Sequence, residues 1–154
     1  IHYSSRKNIT LSEKFSERLK KAMNAYKNKA LTNFEIFEEL MKMAKEYKEA
    51  EQKGKDLGLT EDESAFYDAI TKDEGIFTAD GMSDEKLVEI VKDLADTIRK
   101  NITIDWYDKE SVQAQMRSSI RRLLKKHGYP PENREDATDL VLEQAKKMCE
   151  DMEI

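Results

Sequence analysis

The sequence contains little of what metal sites, disulfides and membrane spans require. It has one cysteine, Cys149, which excludes an internal disulfide and a zinc site built on several cysteines. Its two histidines, His2 and His127, leave little material for a histidine metal site or a Ser-His-Asp arrangement. The five glycines are scattered and form no phosphate-binding loop motif. Apolar runs are at most three residues long, so no membrane span or secretory signal is predicted.

The 154 residues are rich in charge, but their pattern predicts a helical fold. Charged and hydrophobic residues each make up 38% of the chain, and the net charge is −5. This composition is close to that of disordered chains. The apolar residues nevertheless recur at helical spacing along most of the chain, which favours one folded all-α domain. The chain opens at Ile1 rather than Met, which indicates either a removed leader or a piece of a longer polypeptide. Because one cysteine gives no sign of an oxidising destination, we expect a domain taken from a longer polypeptide.

Three helices are predicted in the first half of the chain. The first covers about 12–26, with Ser12 as its N-cap and residues 1–11 as a flexible lead-in. The second begins at a capping box and ends at Gly54 and Gly58, and a short third helix begins at another capping box. The two boxes are Thr32 with Glu35 and Thr60 with Glu63.

Three further helices are predicted in the second half, over about 83–98, 110–127 and 131–148. Between the first two, residues 101–106 alternate polar and apolar side chains, which predicts an extended segment, either a packed connector or half of a small hairpin. Trp106 at its end is interpreted as a core anchor. The predicted fold is therefore all-α. It is a bundle of about six helices in a single domain over 12–154, with one short extended segment near residues 101–106.

Basic and acidic residues fall in separate blocks along the chain. Residues 6–29 hold eight basic and two acidic side chains, and 112–127 hold five basic and no acidic ones. In contrast, 60–98 hold twelve acidic and three basic side chains, and 131–154 hold eight and three. Because fields add over a face, such blocks indicate a surface that meets an oppositely charged one.

The basic blocks supply candidate contacts to the phosphate backbone of double-stranded DNA. Like charges four residues apart disfavour an isolated helix, so an anionic partner would relieve the repulsion within 112–127. Three partners stay open: the acidic helices of this protein, DNA phosphates, or an acidic protein. The candidate DNA-contacting residues are Arg117, Arg121, Arg122, Lys125 and Lys126, with Arg18, Lys20 and Lys21 in the first helix.

No catalytic, cofactor-binding or metal-binding residue is predicted in this chain. The many carboxylates, such as Glu38, Glu39, Asp62 and Glu63, follow the positions expected of helix starts and solvent-facing sides. His127 lies in the last turn of its predicted helix, where a positive charge interacts favourably with the helix dipole. These observations predict a charged helical module without catalytic groups rather than an enzyme.

Several segments resemble the C-terminal region of type I restriction enzyme motor subunits. The most specific segment is 100–106, Lys-Asn-Ile-Thr-Ile-Asp-Trp, and the similarity spans roughly 20–148. The stretch at 72–81 and the first fifteen residues depart from the family pattern. Further matching segments are Tyr26 with Asn28, 57–63, 66–69, 110–112, 122–131 and 140–145.

The resemblance implies that this chain is part of a long bacterial subunit with a nuclease domain and two helicase-like ATPase lobes. It also implies that the subunit is cytoplasmic and does not associate with a membrane. Such a subunit uses ATP and Mg, but none of its catalytic motifs matches a position here. The expected role of this region is to dock the motor onto the methyltransferase core of modification and specificity subunits, with sequence-independent contact to double-stranded DNA. The alternative is a sequence-independent DNA-binding domain in its own right.

Overall fold

The described part of the chain, 8–79, 81–101 and 110–152 of this computed structural model, contains six α-helices and a short 3-10 helix but no strand. This confirms the all-α prediction. Asn101 ends a helix, whereas 102–106, including Trp106, lie outside the described residues. The α-helices are α1 (Ile9–Lys27), α2 (Asn33–Asp56), α3 (Glu61–Ile70), α4 (Asp84–Asn101), α5 (Glu110–Lys126) and α6 (Pro131–Met152), and the 3-10 helix spans Glu74–Thr78.

Both predicted capping boxes are confirmed. The Thr32 hydroxyl accepts a hydrogen bond from the Glu35 amide at 3.2 Å, and the Glu35 carboxylate accepts one from the Thr32 amide at 3.0 Å. Thr60 and Glu63 repeat this arrangement at the start of α3. Each box satisfies two backbone amides that the first helical turn leaves without an internal partner.

The first helix begins earlier than predicted, and Ser12 is not its N-cap. The side chain of Asn8 caps it by accepting a hydrogen bond from the Leu11 amide at 3.0 Å. Two contacts to other helices fix this start: Asn8 donates to Asp68 at 2.7 Å, and the Ile9 amide donates to Gln144 at 2.8 Å. The base of α1 is therefore attached to both α3 and α6.

The main core lies among α3, α4, α5 and α6. Leu87, Ile90, Ile120 and Val141 are fully buried there. Tyr129, in the turn between α5 and α6, donates a hydrogen bond through its hydroxyl to the Ile70 carbonyl at 2.6 Å. This bond satisfies a carbonyl at the C-terminal end of α3 and ties that end to the turn.

Helices α1 and α2 form a hairpin that is much less buried than the rest. Ala22 and Met43 are buried between the two helices, and the Phe15 and Tyr47 rings meet edge to face at 5.4 Å. The apolar spacing predicted along both helices is present, but part of that face remains in solvent. The helices of the described residues include none that is long and apolar enough to cross a membrane.

Candidate interaction surfaces

Two arginines of the predicted basic row are used within the fold. Arg117 forms ion pairs with Asp139 and with Glu135, the latter at 3.0 Å, and Arg121 donates to Glu135 at 3.1 Å. The guanidinium groups of Arg121 and Arg117 lower the pKa of Glu135, and the bond to Asp139 raises the pKa of Arg117. The acidic block at 131–154 therefore neutralises these two positions.

The other three basic residues of α5 lie on its solvent-facing side. Arg122, Lys125 and Lys126 are exposed, and no residue in the described part of the chain forms an ion pair with them. The neighbouring exposed positions Gln115 and Ser118 are uncharged. This side of α5 thus presents positive charge to solvent without an adjacent carboxylate on the same helix.

The three basic candidates in α1 lie in different surroundings. Arg18 bridges to α2 by pairing with Glu39 at 3.0 Å and with Glu46, so it holds the hairpin together. Lys20 and Lys21 are both exposed, but only Lys21 lines the cleft at the base of the hairpin. Arg18 is therefore engaged within the fold, whereas Lys20 and Lys21 remain exposed.

The cleft at the base of the hairpin has a volume of about 500 Å³ and several lysines along its walls. Lys53 lies 4.9 Å from the ring centre of Phe77 and 5.5 Å from that of Tyr67. One wall carries Asp68, where burial raises the pKa to about 6 despite the hydrogen bond from Asn8. Because this carboxyl accepts the hydrogen bond that holds Asn8, its burial has a structural role in the fold.

A polar cluster around His127 was not predicted from the sequence. Its Nε2 lies 2.6 Å from an Asp93 carboxylate oxygen, and its Nδ1 lies 3.1 Å from Lys86 Nζ. Lysine can only donate, so Nδ1 accepts and the Nε2 proton faces Asp93. Within the described residues, no three His, Cys, Asp or Glu side chains are grouped so that they could hold a metal ion. The cluster joins α4 to the end of α5.

The chain matches one protein family along almost its whole length. The family is described as type I restriction enzyme HindI endonuclease subunit-like, C-terminal, and the match covers residues 1–151. The chain belongs to this family. The resemblance seen at segments such as 100–106 is thereby confirmed, and the chain is a C-terminal domain of a type I restriction endonuclease subunit.

Two curated relatives support the assignment. The type I restriction enzyme HindI endonuclease subunit of Haemophilus influenzae is 43% identical over 152 residues, which is 99% of this chain. A putative type I restriction enzyme MjaIXP endonuclease subunit of Methanocaldococcus jannaschii is 39% identical over 124 residues, or 79% of this chain. The chain spans only 14% and 12% of the lengths of these relatives. No solved structure matches it significantly.

Proposed function

We propose that this domain is a non-catalytic assembly module. It docks the motor subunit of a type I restriction enzyme onto the methyltransferase core, formed by the modification and specificity subunits. The relatives are endonuclease subunits, and their names imply further subunits in the same enzyme. ATP and Mg would act elsewhere in the longer subunit, and we place the enzyme in the cytoplasm, where its DNA substrate lies.

The main support for this proposal is the amount of apolar surface that the hairpin leaves exposed. Phe34, Phe37 and Met41 are 68%, 61% and 57% exposed, although each belongs to a well-formed helix. Scattered apolar residues are normal on surfaces, but a group on one element is typical of a protein interface. Exposed apolar side chains of this kind do not contribute to contacts with phosphates.

Contact with the DNA backbone is proposed as a second, weaker role of the domain. The exposed residues Arg122, Lys125 and Lys126 support it. The alternative, an independent DNA-binding domain, is less well supported, since Arg18, Arg117 and Arg121 pair with carboxylates of the fold. The net charge of −5 also opposes tight binding to an anionic duplex.

A deletion in the full-length subunit tests the assembly role. We expect a subunit lacking 8–152 to retain its ATPase and nuclease domains but to lose stable association with the modification and specificity subunits. Sedimentation of mixtures of the purified proteins measures this association directly. Normal association of the deleted subunit would contradict the proposal.

The DNA role has a separate test, which depends on salt. Replacing Lys125→Gln and Lys126→Gln in the full-length subunit should make the slope of log affinity against log salt shallower by up to about 1.8, about 0.9 for each phosphate that is no longer neutralised. The matched control is Arg117→Gln with Arg121→Gln, which should change the slope less because Glu135 and Asp139 already neutralise these arginines. Equal slopes in all three proteins would contradict DNA contact.

A further inference from the structure

The exposed apolar side chains of this domain are concentrated on the hairpin. Within the described side chains, eight large apolar residues are exposed, and seven of them belong to α1 and α2. The eighth, Phe77, lies in the 3-10 helix. The core helices α3 to α6 therefore cover their apolar surface, whereas the hairpin does not.

Cross-hairpin contacts fix the register of the two helices. Phe15 meets Tyr47, Arg18 pairs with Glu39, and the Tyr26 hydroxyl bonds Asn33 at the tip at 2.5 Å. These contacts place the segment of α1 with Leu19 and Met23 alongside the segment of α2 with Phe37 and Leu40.

The exposed apolar residues also share one side of the hairpin. Leu19 and Met23 directly follow Arg18 and Ala22, which face α2. Leu40 directly follows Glu39, which faces α1. In two antiparallel helices, the residue that follows an inward-facing residue lies on the same side of the pair in both helices, because both helices are right-handed. The opposite side is polar, with a cleft lined by Lys21, Glu38 and Lys42 among others. We call Leu19, Met23, Phe37 and Leu40, together with Met41 on the adjoining outward side of α2, the hairpin apolar face.

The border of the hairpin apolar face is positively charged. Lys20, Lys27 and Lys48 are exposed along it, and no described residue forms an ion pair with them. Residues 19–27 contain no acidic residue. The glutamates in 37–48 are engaged elsewhere, because Glu39 and Glu46 pair with Arg18 and Glu38 lines the cleft on the opposite side.

We propose that the hairpin apolar face docks against a protein surface that is apolar at its centre and bordered by carboxylates, on another subunit of the restriction enzyme. This inference rests on the assembly role proposed above and specifies the surface that performs it. Charge complementarity selects this partner: the lysines meet carboxylates around a dry apolar centre. A second copy of the face would place lysines against lysines, and a DNA backbone would offer no apolar surface.

The test compares two variants of the full-length subunit. The face variant carries Phe37→Glu and Met41→Glu, which place two carboxylates on the α2 part of the face. The control is Phe77→Glu, a single substitution of the same kind at an exposed phenylalanine outside the face. Dissociation constants for the complex with modification and specificity subunits are measured by sedimentation, and circular dichroism verifies that helical content is unchanged.

We expect the face variant to bind at least about 100-fold more weakly, since central apolar residues dominate binding energy, and the control to bind normally. The double variant Lys20→Glu with Lys48→Glu should also weaken binding, and the loss of affinity should be larger at low salt than at high salt. If the face variant binds the other subunits normally, the inference is overturned. This holds also if the variant loses only its association with a second copy of the subunit. If deletion of 8–152 abolishes assembly while the face variant assembles, only this inference fails. If the deleted subunit assembles, the proposed function itself fails.

Discussion

The buried carboxyl that anchors the hairpin gives a pH-dependent prediction. Asp68 on α3 accepts the hydrogen bond from the capping residue Asn8, and burial raises the pKa of this carboxyl from 3.8 to about 6. Lys14 and Lys53 partly oppose the effect of burial. At pH 7.5 the Asp68 carboxyl is therefore ionised, although its buried surroundings favour the protonated, neutral form. Replacing Asp68→Asn removes the charge and keeps an oxygen that can accept from Asn8.

The sign and size of the effect follow from the two pKa values. A carboxyl whose pKa is higher in the folded state stabilises the fold below about pH 4, and this contribution is lost as the pH rises to about 6. The span from 3.8 to about 6 corresponds to about 3 kcal/mol. Because the neutral amide makes a weaker hydrogen bond, we expect Asp68→Asn to stabilise the protein by about 1–3 kcal/mol at pH 7.5.

Thermal unfolding of both proteins at several pH values measures this difference. The melting temperature of the variant should exceed that of the parent by about 2–12 °C at pH 7.5, at about 2–4 °C for each kcal/mol. The gap should close as the pH falls below about 4, where both side chains are neutral. All other titrating groups are shared, so they cancel in the comparison. A gap that is independent of pH, or a variant less stable at pH 7.5, would refute the reasoning about Asp68.

Three further changes test the packing and the ion pairs. Tyr129→Phe should cost about 1–3 kcal/mol in urea unfolding, because the Ile70 carbonyl loses its donor. Leu124→Ala, at a fully buried position, should cost about 2–5 kcal/mol in the same assay, and a smaller loss would mean that the site collapses around the cavity. Glu135→Gln with Asp139→Asn should make the salt dependence of DNA binding steeper by up to about 1.8, since two arginines are freed. An unchanged slope would show that those arginines do not reach DNA.

Local signals in the sequence were sufficient for most of the helix starts. The capping boxes at Thr32 and Thr60 were predictable because all their atoms lie within four residues. The start of α1 was not, because the cap at Asn8 depends on Asp68 and Gln144, which are distant in the sequence. Helical periodicity also could not show how much of the α1–α2 apolar face would be covered, since coverage depends on which helices pack against the hairpin.

The surfaces were predictable in kind but not in detail. Charge blocks indicated that the basic row could pair within the protein, with DNA or with another protein. Only the packing of α5 against α6 shows that Arg117 and Arg121 meet Glu135 and Asp139. The same applies to His127, since its partners lie on α4 and no local pattern links them.

The most direct measurement of the docking role is site-specific photo-crosslinking in the assembled enzyme. A photoreactive phenylalanine analogue replaces Phe37 on the exposed surface of the hairpin, and the same analogue at Phe77 serves as the control. We expect the analogue at position 37 to crosslink to a modification or specificity subunit, and the analogue at position 77 to give little of that product. Crosslinks from position 37 only to DNA or to the motor subunit itself would contradict an assembly role for this surface.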